Sequence, residues 1–207
     1  MEEINKSELE SAISKLSEIA DKIENNSFEE FSNKFDFSFV DFIKSSDFTL
    51  SNAHLEKILE KVRTEGSNNN GNSFKIAEKN IFDLNTKNQK TLFNLSFLHL
   101  SVTFRYTVFN TLDNEAEWGD NYRDWLKLLV QIFNIEDLDD YHRFIYLENS
   151  HDFDSELLSF EILKLLPSEV KNLYIDFIDA WFNEIKLDDD IQDTADFLVN
   201  YLREKLN

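Results

Sequence analysis

The sequence predicts an all-α protein of about eight helices, arranged as a single irregular bundle or helical stack. Three observations support this class. The chain contains only 3 Gly and 1 Pro in 207 residues, where average composition would give roughly 14 and 10, so residues typical of tight turns and hairpins are scarce. Apolar residues recur every three or four positions along most of the chain, which is the period of an amphipathic helix. Hydrophobic residues make up 42% of the sequence, enough to build a core despite a net charge of −20.

The N-terminal part of the sequence predicts two helices. Ser7 begins a Ser-x-x-Glu capping box, and the apolar repeat that follows extends to about Glu24. Ser27 is expected to cap the second helix. The run Phe35–Phe39 is ambiguous, because its alternation is typical of a strand while its phenylalanines also continue a helical stripe. We favour a helix there because no partner strand is evident nearby.

A third helix is predicted from Ser51 to the residue before Gly66, which is expected at the C′ position. The segment 66–72 is rich in Asn and contains two of the three glycines, so it is the natural flexible joint of the chain. We therefore predict a single helical domain over the whole chain, in which this loop would join two subregions, 1–65 and 73–207.

The apolar residues after the joint predict a long, largely buried helix from about Lys87 to Leu112. They step by three or four positions, and they are Leu92, Leu95, His99, Val102, Tyr106 and Phe109. A small β element near residues 101–108 is the alternative, because that run alternates and is rich in β-branched and aromatic residues. We expect the helix.

Five further helices are predicted in the C-terminal part of the chain. Each is an apolar repeat that begins just after a residue suited to a helix N-terminus. These residues are Asp120, Glu136, Asp154 or Ser155, Ser168 and Asp188. Pro167 separates the third of these helices from the fourth.

Several classes of protein are excluded by what the sequence lacks. It contains no Cys, which removes disulfides, thiolate metal sites and cysteine nucleophiles. It also lacks an apolar stretch of the kind found in signal peptides and membrane spans. We therefore expect a cytoplasmic protein that does not interact with a membrane.

Charge is the most informative feature of the sequence, because it is unevenly distributed. Residues 1–112 carry 17 acidic and 13 basic side chains, a net charge of −4, whereas residues 113–207 carry 24 and 8, a net charge of −16. A field of this size steers cationic partners toward a protein and repels nucleic acid and anionic membranes. The alternative is a solvated surface that confers only solubility.

We assign candidate partner-binding residues to the acidic clusters of the C-terminal half. On the last predicted helix, Asp189, Asp193 and Asp196 share the face opposite Ala195, so they form a ridge of like charges. Trp118, in an acidic segment, is a candidate apolar anchor, with packing against a helix end as the alternative. The candidates are Trp118, Glu136, Asp137, Asp139, Asp140, Asp152, Asp154, Asp188, Asp189, Asp190, Asp193 and Asp196.

Two sequence patterns bear on catalysis. Glu148-x-x-His151 has the spacing of a di-iron ligand pair, but such sites need a second pair, for which the nearest candidate is Asp139-x-x-His142. Arg143 and His151 are separated by seven residues, which is longer than the Arg-to-His element of small helical ribonucleases. We therefore predict no catalytic residue, no metal and no cofactor.

The leading hypothesis is an acidic helical protein, not an enzyme, that neutralises a basic protein partner by occlusion. Immunity proteins and inhibitors act in this way, and the partner would be a nuclease toxin or another nucleic-acid enzyme. This hypothesis expects no direct contact with nucleic acid. One alternative is a DNA mimic whose carboxylates reproduce a phosphate array and capture nucleic-acid-binding proteins. The other is a helical enzyme, metal-dependent through Glu148 and His151 or ribonuclease-like.

Overall fold

The computed structural model describes residues 29–66, 72–110, 126–135, 138–145, 153–184 and 189–207. All regular structure within these ranges is helical, which confirms the all-α prediction. The helix predicted from Ser7 to Glu24 lies outside them. None of the helices in the described ranges is long and apolar enough to cross a membrane.

The chain divides into two compact units, Met1–Asp36 and Phe37–Asn207. In the first unit, residues 29–34 are helical. The Phe31 ring packs on the Phe35 ring there, with the two centroids 4.7 Å apart. The site and the core described below belong to the second unit.

Side chains connect the two helices that lie on either side of the Asn-rich segment 66–72. Both helices belong to the second unit. Arg63 Nη2 donates to Glu78 Oε1 over 3.0 Å. The Arg63 guanidinium also lies over the Phe74 ring, 4.7 Å from its centroid. One charged and one cation–π contact therefore join these two helices.

The second unit contains eight helices with described bounds. They are α1 (Ser38–Ser45), α2 (Asn52–Glu65), α3 (Asn72–Lys87), α4 (Thr91–Asn110), α5 (Leu138–Ile145), α6 (Ser155–Leu163), α7 (Ser168–Glu184) and α8 (Asp189–Leu206). Residues 126–132 are also helical. Helix α3 was not among the predicted helices. The helix favoured over residues 35–39 is interrupted, because residues 35–37 are not helical.

Two helix N-termini carry the caps that the sequence predicts. Ser51 Oγ accepts a hydrogen bond from the His54 N–H over 3.3 Å at the start of α2. Asp154 Oδ1 accepts one from the Leu157 N–H over 2.8 Å at the start of α6. Each bond satisfies an N–H group that has no partner within the first turn of its helix.

Gly66 and Asn134 each follow a helix, but the two residues have different backbone conformations. Gly66 comes after α2 as predicted, but its φ of −71° is not the left-handed conformation expected at a C′ position. Asn134 has that conformation, with φ of 53°. The Ile135 N–H then bonds to Val130 O over 3.0 Å. Segment 126–132 therefore ends in a Schellman motif, in which Asn tolerates the left-handed backbone.

Helix α4 is the central element of the second unit. It packs against α1, α3, α5, α6 and α8, and residues 92–101 are all buried. Further along, Phe104 and Val108 are buried, whereas Tyr106 between them is 52% exposed. In a strand these three side chains would share one face, so the burial pattern is that of a helix. The alternative of a β element over residues 101–108 is wrong.

Aromatic rings fill the centre of the second unit around Phe39 of α1. The Phe39 side chain is completely buried. Its ring centroid lies 4.9 to 6.0 Å from those of Phe97, Phe133, Tyr174 and Phe177. These rings come from α4, α7 and the chain just after segment 126–132, so Phe39 connects four parts of the fold.

Candidate functional site

Two carboxylates of α8 face outward. Asp193 and Asp196 are exposed, while Ala195 and Leu198 on the opposite side are buried. The orientation predicted for these two aspartates is therefore confirmed. The Gln192 amide donates to Asp196 Oδ1 over 2.8 Å, and no ion pair within the described ranges involves either carboxylate. Because the two like charges lie one turn apart, they add to one another and contribute a local negative potential.

An exposed aromatic side chain lies beside these carboxylates. Phe197 is 66% exposed. Its ring stacks on that of Tyr201, with centroids 6.4 Å apart and an interplanar angle of 14°. Asp193, Phe197 and Tyr201 follow at intervals of one helical turn, so they share a ridge of α8. We call Asp193, Asp196 and Phe197 the α8 acidic face.

Tyr201 joins this ridge to α6. Its hydroxyl donates to Glu156 Oε1 over 3.4 Å, and its ring centroid lies 5.7 Å from that of Phe160. Burial raises the pKa of the Tyr201 hydroxyl, and the negative charges of Glu156, Asp154 and Glu204 raise that pKa further. The direction of the shift is consistent with a negative field at this end of the α8 acidic face.

Tyr201 also lines an open cleft of about 520 Å³ between α2, α6 and α8. Three lysines and four carboxylates line the cleft together with Leu157 and Phe160. The Lys205 ammonium lies 5.4 Å from the centroid of the Tyr201 ring, which is a cation–π arrangement. Positive and negative groups therefore both line the cleft.

Glu161 in this cleft is held by two lysines. Lys61 Nζ lies 3.0 Å and Lys164 Nζ 2.6 Å from Glu161 Oε1. Burial would raise the pKa of Glu161, but the hydrogen bonds from Lys164 and Lys61 outweigh it, so the pKa lies below its usual value. The hydrogen bond between Lys61 and Glu161 also raises the pKa of Lys61. Both lysines are therefore engaged with a carboxylate of their own chain.

Glu161→Gln is expected to destabilise the protein at neutral pH and not at low pH. The pKa of Glu161 in the folded state is lower than its ordinary value of 4.5. The ionised carboxylate therefore stabilises the fold above pH 4.5, and this contribution is lost as the pH falls through the folded pKa. Because the lysines are partly exposed, the difference should be about 1 kcal/mol or less. Urea unfolding of both proteins across this pH range measures it, and a difference that persists on acidification would contradict the role.

Asp140 is buried and does not lie on the protein surface, where the sequence predicts it. It is 3% exposed, and its Oδ2 accepts from Lys87 Nζ over 2.9 Å. The neighbouring Asp139 is exposed. Asp140 lies on the inner side of α5 together with the core residues Tyr141 and Phe144. It therefore belongs to an ion pair between α3 and α5 and not to a docking surface.

Lys87→Met is expected to lower the free energy of unfolding by about 1–3 kcal/mol. The substitution leaves a buried carboxylate without its cation, which costs about 3–5 kcal/mol when both partners are buried. The loss should be smaller here because the Lys87 side chain is 45% exposed. Lys79→Met, on an exposed position of the same helix, is the matched control. Urea unfolding that shows equal losses for the two variants would contradict a stabilising role for the pair.

The structure describes some of the other candidate residues and not the rest. Asp154 is the N-cap of α6, and Asp189 and Asp190 are the first two residues of α8. Outside the described ranges lie Trp118, Glu136, Asp137, Glu148, His151, Asp152 and Asp188. Within those ranges, no group of three or more His, Asp or Glu side chains is arranged to hold a metal ion.

Comparison with known proteins adds no assignment to this surface. The chain matches no protein-family model, and neither the curated proteins nor the solved structures contain a match to it.

Phe197 and Tyr201 are candidate binding residues that the sequence analysis missed. Phe197 lies four positions after Asp193 and two after the buried Ala195, so it is out of register with the apolar stripe of α8. A large apolar residue on the polar side of an amphipathic helix breaks the expected pattern. That register could have identified Phe197. The contacts of Tyr201 with α6 depend on tertiary packing, and the sequence of α8 alone does not reveal them.

Proposed function

We propose that the protein binds a basic protein partner and neutralises it by occlusion, as an immunity protein or inhibitor does. The observation that carries the proposal is the α8 acidic face, where Asp193 and Asp196 are exposed, have no ion-pair partner among the residues that the structure describes, and lie beside the exposed Phe197. Carboxylates can pair with the Lys and Arg side chains that a nucleic-acid enzyme uses to hold phosphates. An aromatic side chain supplies the apolar contact that such an interface needs at its centre.

The charge of the C-terminal half supports a cationic partner. Residues 113–207 carry a net charge of −16, which accelerates association with a basic protein and disfavours nucleic acid. Neutralisation then requires only that the bound chain cover the phosphate-binding side of its partner. No catalytic group is needed on this chain. We place the interaction in the cytoplasm, in keeping with the expectation from the sequence.

A nucleic-acid mimic would use the same carboxylates differently. A mimic presents an array of negative charge, and its binding should be lost steeply as salt is added. Phe197 favours a dedicated partner, because an array of phosphates has no counterpart to an exposed aromatic ring. Apolar contact at an interface retains affinity at salt concentrations that screen exposed charges.

Affinity capture from a lysate of the source organism tests the proposal. The immobilised protein is incubated with nuclease-treated lysate, washed at low and then moderate salt, and the retained proteins are identified by mass spectrometry. We expect one basic protein to survive the moderate-salt wash. Release of many nucleic-acid-binding proteins together would instead indicate a mimic. If no basic protein is retained even at low salt, the proposal of a dedicated partner and the alternative of a nucleic-acid mimic are both wrong.

A further inference from the structure

Phe197 differs from the other exposed apolar side chains in its surroundings. Ile76, Tyr106 and Phe197 are the large hydrophobic side chains that are more than half exposed in the described ranges. Single exposed apolar residues are common and need no function. Phe197, however, has Asp193 one turn before it and the stacked Tyr201 one turn after it. It therefore combines an aromatic face with a carboxylate on the same ridge.

The Phe197 ring is supported from the core. Phe104 of α4 is 2% exposed, and its ring centroid lies 6.4 Å from that of Tyr201. Tyr201 is held in turn by its hydroxyl bond to Glu156, and Phe197 stacks on it. A series of rings thus runs from the interior to the surface. Because Phe197 is supported by this contact, it loses less conformational freedom on binding than an isolated surface side chain.

The chemistry of this ridge suits a planar cation. A guanidinium stacks on an aromatic face and pairs with a carboxylate through two N–H groups, whereas an ammonium is a strongly hydrated point charge. Within the same helix, the Lys205 ammonium lies over the Tyr201 ring at 5.4 Å. The charges of Glu156, Asp154 and Glu204 around Tyr201 add to the negative field. The basic side chains Arg203 and Lys205 are confined to the last turn of α8, away from Asp193.

A second copy of this chain is a poor occupant for the ridge. Two copies would each bring a net charge of −20, and like charges brought together at an interface oppose association. Charge complementarity selects a basic segment instead.

We infer that the α8 acidic face receives an arginine side chain of the basic partner, with its guanidinium stacked on Phe197 and paired with Asp193. The inference rests on the proposed function and specifies the residue type that the partner contributes. Arginine in place of lysine at that position should strengthen binding by about threefold to tenfold, as expected for a cation–π contact that is only partly desolvated.

Two synthetic peptides test this inference, an oligo-arginine and an oligo-lysine of equal length and charge. Isothermal titration calorimetry at low salt compares both peptides with the wild-type chain and with Phe197→Ser. We expect the wild type to prefer the arginine peptide by about threefold to tenfold, and Phe197→Ser to lose that preference while its affinity for the lysine peptide changes little. Ile76→Ser, which removes an equally exposed apolar side chain from α3, should keep the preference.

The outcomes separate this inference from the proposed function. Equal binding of both peptides to the wild type, or a preference that survives in Phe197→Ser, would overturn the arginine site and leave the cationic docking surface standing. If neither peptide binds more tightly than an uncharged peptide of the same length, the proposed function fails together with the arginine site. Circular dichroism of Phe197→Ser verifies that the substitution leaves the helices intact.

Discussion

Replacing Phe39 with alanine is expected to lower the free energy of unfolding by about 3–5 kcal/mol. The Phe39 side chain is completely buried and lies against Phe97, Phe133, Tyr174 and Phe177. Truncation removes these contacts and leaves a cavity. The surrounding rings are large and close-packed, so they relax only partly into it. Urea unfolding followed by circular dichroism at helix wavelengths measures the loss.

Phe42→Ala is the matched control for Phe39→Ala. It removes the same side chain from the same helix at a half-buried position, so the expected loss is only about 1 kcal/mol. Equal losses for the two variants would contradict the placement of Phe39 at the centre of the core.

Reversing both charges of the α8 acidic face, by Asp193→Lys together with Asp196→Lys, is expected to weaken binding of the captured partner by about a hundredfold. The double change turns two attractions into two repulsions, worth about 3 kcal/mol in total. The loss should shrink as salt is added, because both positions are exposed and therefore screened. Isothermal titration calorimetry with the purified partner at two salt concentrations measures both effects.

Two further variants separate the loss of binding from effects on folding and on total charge. Asp193→Asn with Asp196→Asn relieves like-charge repulsion within α8, so it should leave stability unchanged or slightly higher while affinity falls about tenfold. Asp47→Lys with Asp83→Lys changes the net charge by the same amount as the α8 reversal, at exposed positions outside α8. If that control weakens binding as strongly as the α8 reversal, the net charge and not the α8 acidic face determines affinity.

The parts of the fold that depend on local sequence could be predicted. The Ser51 and Asp154 caps are local hydrogen bonds, and the structure has both. Helix α4 was predicted from its apolar spacing. Helix α3 was not predicted, although Phe74, Ala77, Ile81 and Leu84 carry a similar spacing.

The parts of the site that depend on tertiary contacts could not be predicted. Asp140 and Asp139 are adjacent in the same acidic cluster, and only the packing of α5 buries the first and exposes the second. The partner of Asp140 is Lys87, which lies 53 residues earlier in the chain. On α8, the helical period correctly placed Asp193 and Asp196 outward. The same period places Phe197 on the outward side beside them.

Carboxylate footprinting is a direct test of whether the partner docks on the α8 acidic face. The protein is labelled with a carbodiimide and an amine, free and in complex with the captured partner, and the labelling of each Asp and Glu is measured by mass spectrometry. The account predicts that Asp193 and Asp196 are protected in the complex while the exposed Asp47 and Asp83 label as in the free protein. Protection of other carboxylates, with Asp193 and Asp196 labelled as fast as in the free protein, would contradict it.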